Sequence, residues 1–450
     1  MAGKQMKRCV LMTFPMFFQE ISLIHSGLLE KILSKYTVVL LVPPEYQKKK
    51  GIEEFFKGKD VEVRIFPAQP LKESLPARMI KSMLYMKNRK RISGFLKRHY
   101  QAMDRGLRIS KKIKRKIMIL LSRLFSERLL EALLNRYFCL KECDELFAEY
   151  NPALLLTCHP GNFYCEGELL RSAKKMSLPA FAIDTTWDML DSGWLPKFDK
   201  FFVWGGQMKT EALLRHNYRE DSAIISGPLR FDFYKHKEFL IDKETFVRNL
   251  GLGPERKLVT IMASRAIEDE YFYVNLIRQI LEWDVKGLTK KRIQIVLREK
   301  PDVDLAKYQV FQNNPLVALD RPFSINNPSS IIQREELINL MNLLKHSDII
   351  ISVYSTLVLE ACYFDTPLIT LNFDSSQWFV ERDFVQYLLA GDGTWVVRNQ
   401  EELLKAINGY LENPRLKQEG RRRMLNDLCA GGACDAADII MKEIEDSLKD

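Results

Sequence analysis

Residues 337–374 read LINLMNLLKHSDIIISVYSTLVLEACYFDTPLITLNFD, a helix, a strand, a tight turn, a second helix and a second strand. Leu337, Ile338, Leu340, Met341, Leu343 and Leu344 share one helical face. Ile349, Ile350 and Ile351 form a continuous apolar run, the pattern of a parallel strand covered on both faces. Ser355 and Thr356 stand where the next helix starts, ahead of the apolar Leu357, Val358, Leu359 and Ala361. Two hydroxyls beside the spare backbone N–H groups of a helix start make an anion site. Glu360, roughly one turn on, points back to the same mouth. That arrangement suits a nucleoside diphosphate, with Glu360 holding the ribose. The alternative leaves Ser355 as an N-cap and Glu360 as a carboxylate that complements the helix dipole.

Working outward, strands and helices alternate almost throughout, which predicts an α/β protein with parallel sheets. Strands are predicted at Cys9–Thr13, Val38–Val42, Val61–Phe66, Ala153–Thr157, Ala180–Ile183 and Phe201–Trp204. Cys9 to Phe18 reads as a first buried strand interrupted by Pro15, rather than as a signal peptide. A second alternating series begins after Asp232, with strands at Leu258–Met262 and Ile293–Leu297, and a helix pair runs from Glu401 to the end. The resulting expectation is two Rossmann-like domains facing a cleft. Residues 1–232 form an N-terminal acceptor-side domain with a basic helical insertion at 70–140. Residues 233–430 are expected to form a C-terminal Rossmann-like domain, and 431–450 a C-terminal helix. In open α/β sheets the ligand sits at the carboxyl ends of the strands.

The chain has 450 residues, enough for two domains with separate cores, and a formal charge of +10. No apolar run approaches the roughly 20 residues that span a bilayer. The eight cysteines include no CxxC pair and no Cys/His grouping with zinc spacing, which points to a reduced, cytoplasmic setting. The charge is concentrated: residues 78–116 hold fifteen Lys and Arg against one acid, Asp104. Arg89, Lys90, Arg91, Lys111, Lys112, Lys114, Arg115 and Lys116 interleave there with Met79, Ile80, Met83, Leu84, Ile92, Phe95, Leu96 and Ile117–Leu121. Basic residues mixed with apolar ones suit a helix lying on an anionic membrane surface. A nucleic-acid partner is disfavoured, because the segment has few aromatics for stacking and the rest of the chain is mildly acidic.

Several residues are placed by this pattern at the ends of strands. Arg298 and Lys300 follow the strand Ile293–Leu297 and can bind a pyrophosphate, or form a solvated loop of mixed charge. Ser264 and Arg265 end the strand before them. In Ser226-Gly227-Pro228-Leu229-Arg230-Phe231-Asp232, Arg230 faces either the donor phosphates or Asp232 as a structural pair. Asp184 and Asp188 follow the strand Ala180–Ile183, and His159 follows the strand before it. Asp188 or His159 is the candidate base for an acceptor hydroxyl. GxGxxG and GxxxxGK[ST] motifs are absent, which removes support for dinucleotide oxidoreductases and P-loop NTPases. Asp302-Val303-Asp304 has the spacing of a cation ligand pair, but no metal is assigned to it.

With Ser347-Asp348-Ile349 through Pro367, the chain resembles the GT-B glycosyltransferase superfamily, with its apolar strand, Ser-Thr turn, acidic helix and small-x-Pro. The bacterial glycerophosphotransferases that build teichoic acids are similar here and at Gly227–Asp232, as are capsule and surface-polysaccharide transferases. The non-hydrolysing nucleotide-sugar 2-epimerases share the general plan. Where the teichoic acid enzymes are expected to carry Trp-His-Gly, this chain has Trp187-Asp188-Met189, and it has Lys300-Pro301 where many relatives carry His-Pro. The resemblance implies a metal-independent glycosyltransferase that needs no cofactor. It would move a sugar from a nucleotide-sugar donor to a surface-glycan or lipid-linked acceptor, peripheral on the inner face of the membrane. The alternatives are a nucleotide-sugar 2-epimerase, a CDP-glycerol-type phosphotransferase and a degenerate GT-B scaffold.

Overall fold

The computed structural model describes residues 7–14, 22–44, 56–67, 75–88, 109–137, 140–159, 165–187, 190, 194–264, 267, 269–299, 306–320, 332–373, 383–433 and 435–449. The chain divides into two units, Met1–Phe233 with Ala433–Asp450, and Tyr234–Gly432.

The first unit carries β1 (Cys9–Thr13), β2 (Thr37–Val42), β3 (Val61–Ile65), β4 (Leu154–Thr157), β5 (Ala180–Ile183), β6 (Lys200–Val203) and β7 (Ala223–Ile225). They form one parallel sheet in the order β3-β2-β1-β4-β5-β6-β7. The runs VLMT in β1 and LLLT in β4 are wholly buried, as central strands between helices must be. Val61–Ile65 alternates between exposed and half-buried residues, because an edge strand is only partly covered. Strand order reverses between β1 and β4, so the switch point lies at their carboxyl ends.

The final helix, Ala436–Ser447, belongs to this same unit rather than standing apart as expected. The reason is Asp232, fully buried, which accepts hydrogen bonds from the backbone N–H groups of Ala436 at 3.1 Å and Ala437 at 2.7 Å. A carboxylate there answers the spare N–H groups of a helix start. Lys31–Asp438 and Lys35–Glu445, both at 2.6 Å, tie the same helix to the helix Leu28–Lys35.

Between β3 and β4 the helices Leu75–Asn88, Ile109–Leu124 and Glu127–Tyr137 build a small core of their own. It contains Ala77, Ile80, Met83, Leu84, Met118, Leu130 and Leu134. Several apolar residues expected to face a membrane (Ile80, Met83, Leu84 and Met118) are therefore core residues. The outward face keeps Ile117 and Leu120 of the expected set, 50% and 58% exposed, and adds Ile113 and Leu124, 55% and 70% exposed. No helix among the described residues is long and apolar enough to cross a membrane.

The second unit holds β8 (Lys257–Met262), β9 (Ile293–Arg298), β10 (Val317–Asp320), β11 (Ile349–Ser352), β12 (Leu368–Leu371) and β13 (Trp395–Val397), parallel and ordered β10-β9-β8-β11-β12-β13. β10 and β13 are short edge strands that the apolar pattern does not announce. Its amino edge is locked by Asp348, which accepts from Lys243 at 2.6 Å, Lys257 at 3.1 Å and the Leu258 backbone N–H at 2.8 Å. Burial opposes its charge, but the Lys243 and Lys257 ammonium groups and the Leu258 N–H still hold this carboxyl below the usual range. Arg421, 1% exposed, donates to Asp365 at 2.8 Å and to the carbonyls of Leu416 and Pro414.

Candidate functional site

In the second unit the chain reverses direction across the sheet between β8 and β11, where Ser352 pairs with Met262. The carboxyl ends of these two strands define the crevice in which an α/β sheet binds its ligand. β11 runs into Val353, Tyr354 and Ser355, and the helix Thr356–Tyr363 starts at once. Ser355 is the N-cap, with extended backbone, yet its hydroxyl makes no capping hydrogen bond. Its carbonyl accepts from the Val358 N–H at 3.0 Å. No acceptor among the described residues meets the N–H groups of Thr356 or Leu357. The Ser355 hydroxyl and these N–H groups are thus unspent on the fold.

The neighbouring residues are placed differently from expectation. Glu360 is 1% exposed and accepts a hydrogen bond from the Tyr234 hydroxyl. The expected ribose contact would compete with that tyrosine for a buried carboxylate. Arg298 ends β9 and is paired with Asp320 at the end of β10. Asp320 also accepts from Asn339 at 2.8 Å. The Arg298 charge is therefore already answered, and it is not the spare phosphate ligand expected from its position. The backbone N–H of Ser264 donates to the Tyr273 hydroxyl at 2.8 Å, which fixes the end of β8. Arg265, Lys300, Asp302 and Asp304 lie outside the described residues.

In the first unit the switch point gathers Thr13 from β1 and Thr157, Cys158 and His159 from the end of β4. Glu166, which opens the helix Glu166–Lys175, is wholly buried beneath them. The Thr13 hydroxyl donates to a Glu166 oxygen at 2.6 Å and accepts from the Cys158 N–H at 3.0 Å. The Thr157 hydroxyl donates to the His159 carbonyl at 2.8 Å. His159 is 2% exposed, and its Nδ1 stands 3.8 Å from the other Glu166 oxygen. Burial pushes the imidazole pKa down to about 3, and Glu166 is too distant to hold a proton on it. His159 is therefore neutral at neutral pH, the form that can accept a proton. Glu166 and Thr13 escaped the sequence reading. An acid opening the first helix after a strand was the available signal.

Asp184 is buried at the end of β5; its carboxylate accepts from the Thr186 N–H at 3.2 Å and its carbonyl from Trp204 Nε1 at 2.8 Å. Asp188, the other candidate base, lies outside the described residues. Gly227, at φ +83°, turns the chain out of β7 into the 3-10 turn Leu229–Lys235, which carries a half-buried Arg230. The alternative partner of Arg230, Asp232, is engaged by the C-terminal helix.

Comparison with known proteins places this geometry. A search of the curated proteins gives no match to the chain. Among solved structures, UDP-GlcNAc 2-epimerase from Neisseria meningitidis, bound to UDP-GlcNAc, is similar with a TM-score of 0.53 at 12% identity, covering 97% of this chain and 100% of that one. A glycosyltransferase from Rickettsia africae gives 0.51 at 12% identity, covering 99% of both chains. The wall teichoic acid polymerase TagF, determined with CDPG, gives 0.50 at 9% identity, covering 98% and 88%. At these identities the likeness is one of fold, and the fold is GT-B. The family model for CDP-glycerol:poly(glycerophosphate) glycerophosphotransferases matches residues 209–446, more than half of the chain. That match runs from the helix after β6, through the Gly227–Asp232 turn and the whole second sheet, to the C-terminal helix. The chain belongs to the CDP-glycerol:poly(glycerophosphate) glycerophosphotransferase family.

Proposed function

We propose that this enzyme moves a sugar from a nucleotide-sugar donor to a surface-glycan or lipid-linked acceptor. The observation that carries the reading is the unspent helix start at Ser355, Thr356 and Leu357, set at the switch point of the second sheet. N–H groups and a hydroxyl directed there favour a diphosphate and stabilise the charge that develops on it as it leaves. In the first unit, neutral His159, or Asp188, takes the proton of the acceptor hydroxyl. The acceptor oxygen then bonds to the transferred carbon as the bond to the diphosphate oxygen breaks, and the diphosphate departs with the electron pair. No metal or other cofactor is assigned a role in this reading.

A second donor reading rests on the family match over residues 209–446: transfer of glycerol phosphate from CDP-glycerol. Against it stands Trp187-Asp188-Met189 in place of the expected Trp-His-Gly. Incubating the enzyme with UDP-, GDP- and dTDP-sugars and with CDP-glycerol, each with a lipid-linked glycan, separates the readings by product mass. A hexose increment supports sugar transfer, and a glycerophosphate increment the second reading. A mass-neutral change in free donor would make it an epimerase, and no turnover a scaffold.

The exposed apolar row of the helix Ile109–Leu124, within the basic segment, supports docking on an anionic membrane surface. Lys116 is exposed beside it. The side chains of Lys111, Lys112, Lys114 and Arg115, and the whole of Arg89, Lys90 and Arg91, lie outside the described residues.

A further inference from the structure

Three polar atoms at the carboxyl edge of the second sheet are buried without a hydrogen-bond partner: the Tyr354 hydroxyl, the Ser355 hydroxyl and the Asn372 side-chain oxygen. Tyr354 as a whole is 2% exposed. Buried polar atoms are costly to leave unpaired, and native folds pair nearly all of them. Three at one sheet edge mark a place where a polar ligand completes the hydrogen bonding.

The register shows that they belong together. Ser352 pairs with Thr370, and Leu371 with Val397. Tyr354, Asn372 and Arg398 therefore stand level on β11, β12 and β13, just past the last paired residues. The Asn372 backbone N–H still donates to the Val397 carbonyl at 2.8 Å, which holds that level. Arg398 is exposed, its side chain makes no ion pair among the described residues, and its charge acts on the Tyr354 hydroxyl. Arg298, the arginine suggested by sequence position, is instead neutralised by Asp320.

We infer that Tyr354, Asn372 and Arg398 are further donor-binding residues. Arg398 meets a phosphate of the nucleoside diphosphate seated at the Ser355–Thr356 helix start. Tyr354 and the Asn372 oxygen bond hydroxyl groups of the same ligand. The guanidinium supplies the full positive charge that the helix start lacks. Asn372 presents an acceptor, which selects a hydroxyl rather than a second phosphate oxygen. This inference rests on the donor site proposed above and extends it along the sheet edge.

The test is calorimetric titration of the full chain with UDP, CDP, GDP, ADP and dTDP, at low and at physiological salt. The proteins are the wild type, Ser355→Ala, Arg398→Gln, Arg398→Lys and Tyr354→Phe. Arg398→Gln should weaken the diphosphate that binds by at least about tenfold, flatten its salt dependence and leave the matching nucleoside unaffected. Arg398→Lys should recover part of the loss. Tyr354→Phe should weaken binding several-fold without lowering the melting temperature of the free protein, since its hydroxyl bonds nothing in the chain. If Ser355→Ala loses binding while Arg398→Gln and Tyr354→Phe bind as wild type, the donor site stands and this extension falls. If the wild type binds none of the five, both fall. A melting-temperature loss in Tyr354→Phe with unchanged affinity would make the tyrosine structural and overturn its assignment.

Discussion

At Ser355 the side chain occupies the position from which serines ordinarily accept the N–H groups of a helix start, and does not do so. Elsewhere in the same unit Asp242 caps through the Thr245 N–H at 2.9 Å, and Asn399 through the Glu402 N–H at 2.9 Å. All three positions look alike in sequence, and only the hydrogen bonding separates a cap from a candidate ligand. Glu360 and Arg298 show the converse. Their spacing is that of site residues, but their partners, Tyr234 and Asp320, lie 126 and 22 positions away, beyond what a local pattern can indicate. His159 carries a prediction of its own. Its folded pKa, about 3, lies below the roughly 6.5 of an unfolded histidine. The unfolded chain therefore binds the extra proton first, and stability is full above about pH 6.5 and falls as the pH drops toward 3. The slope from this residue approaches about 1.4 kcal/mol per pH unit. Urea denaturation from pH 7 to pH 4 should show the slope reduced in His159→Phe. An equal slope in both proteins would remove the buried neutral imidazole from the account.

Among elements, the helix Ile109–Leu124 buries one face and exposes the other. Met118 and Ser122 turn inward, Met118 into the small three-helix core, while Ile113, Ile117, Leu120 and Leu124 turn outward. The basic block was visible in the sequence. Which of its apolar residues face out was not, because core and membrane-facing residues share the same composition and only the bundle decides between them. Wild-type protein should sediment with vesicles containing anionic lipid, in a salt-sensitive manner, each basic residue adding about 1 kcal/mol. Ile117→Glu with Leu120→Glu should abolish sedimentation and leave the melting temperature within a degree or two, since both sites are exposed. Equal sedimentation of the double variant would rule out this face. The start of the helix Ala436–Ser447 is held by a distant residue, Asp232. Asp232→Ala leaves the N–H groups of Ala436 and Ala437 buried without their carboxylate, at a cost of about 2–3 kcal/mol. The urea midpoint reads this cost, and an unchanged midpoint would contradict it.

For the molecule as a whole, the alternation of strands and helices was sufficient to predict two parallel α/β sheets, because central strands such as Leu154–Thr157 and Ile349–Ser352 are buried on both faces and must be apolar throughout. The edge strands β10 and β13 were missed for the same reason: three or four half-covered residues leave little apolar pattern. The return of the last helix to the first unit was illegible, since its partners Asp232, Lys31 and Lys35 lie two hundred or more positions upstream. The sequence proposes a candidate donor site at Ser355 and Thr356, where chemistry and fold signals coincide, and gives no signal at Tyr354, Asn372 or Arg398, which only strand register brings level. The central claim is that a nucleotide-activated donor is held by the helix start at Ser355. Thermal unfolding of the wild type with UDP, GDP, CDP, ADP, CMP and dTDP, repeated on Ser355→Ala/Thr356→Ala, tests it most directly. The account predicts that one of these nucleotides raises the melting temperature of the wild type by several degrees and that the variant, as stable as the wild type alone, loses that rise. A rise of the same size in both proteins would contradict the account.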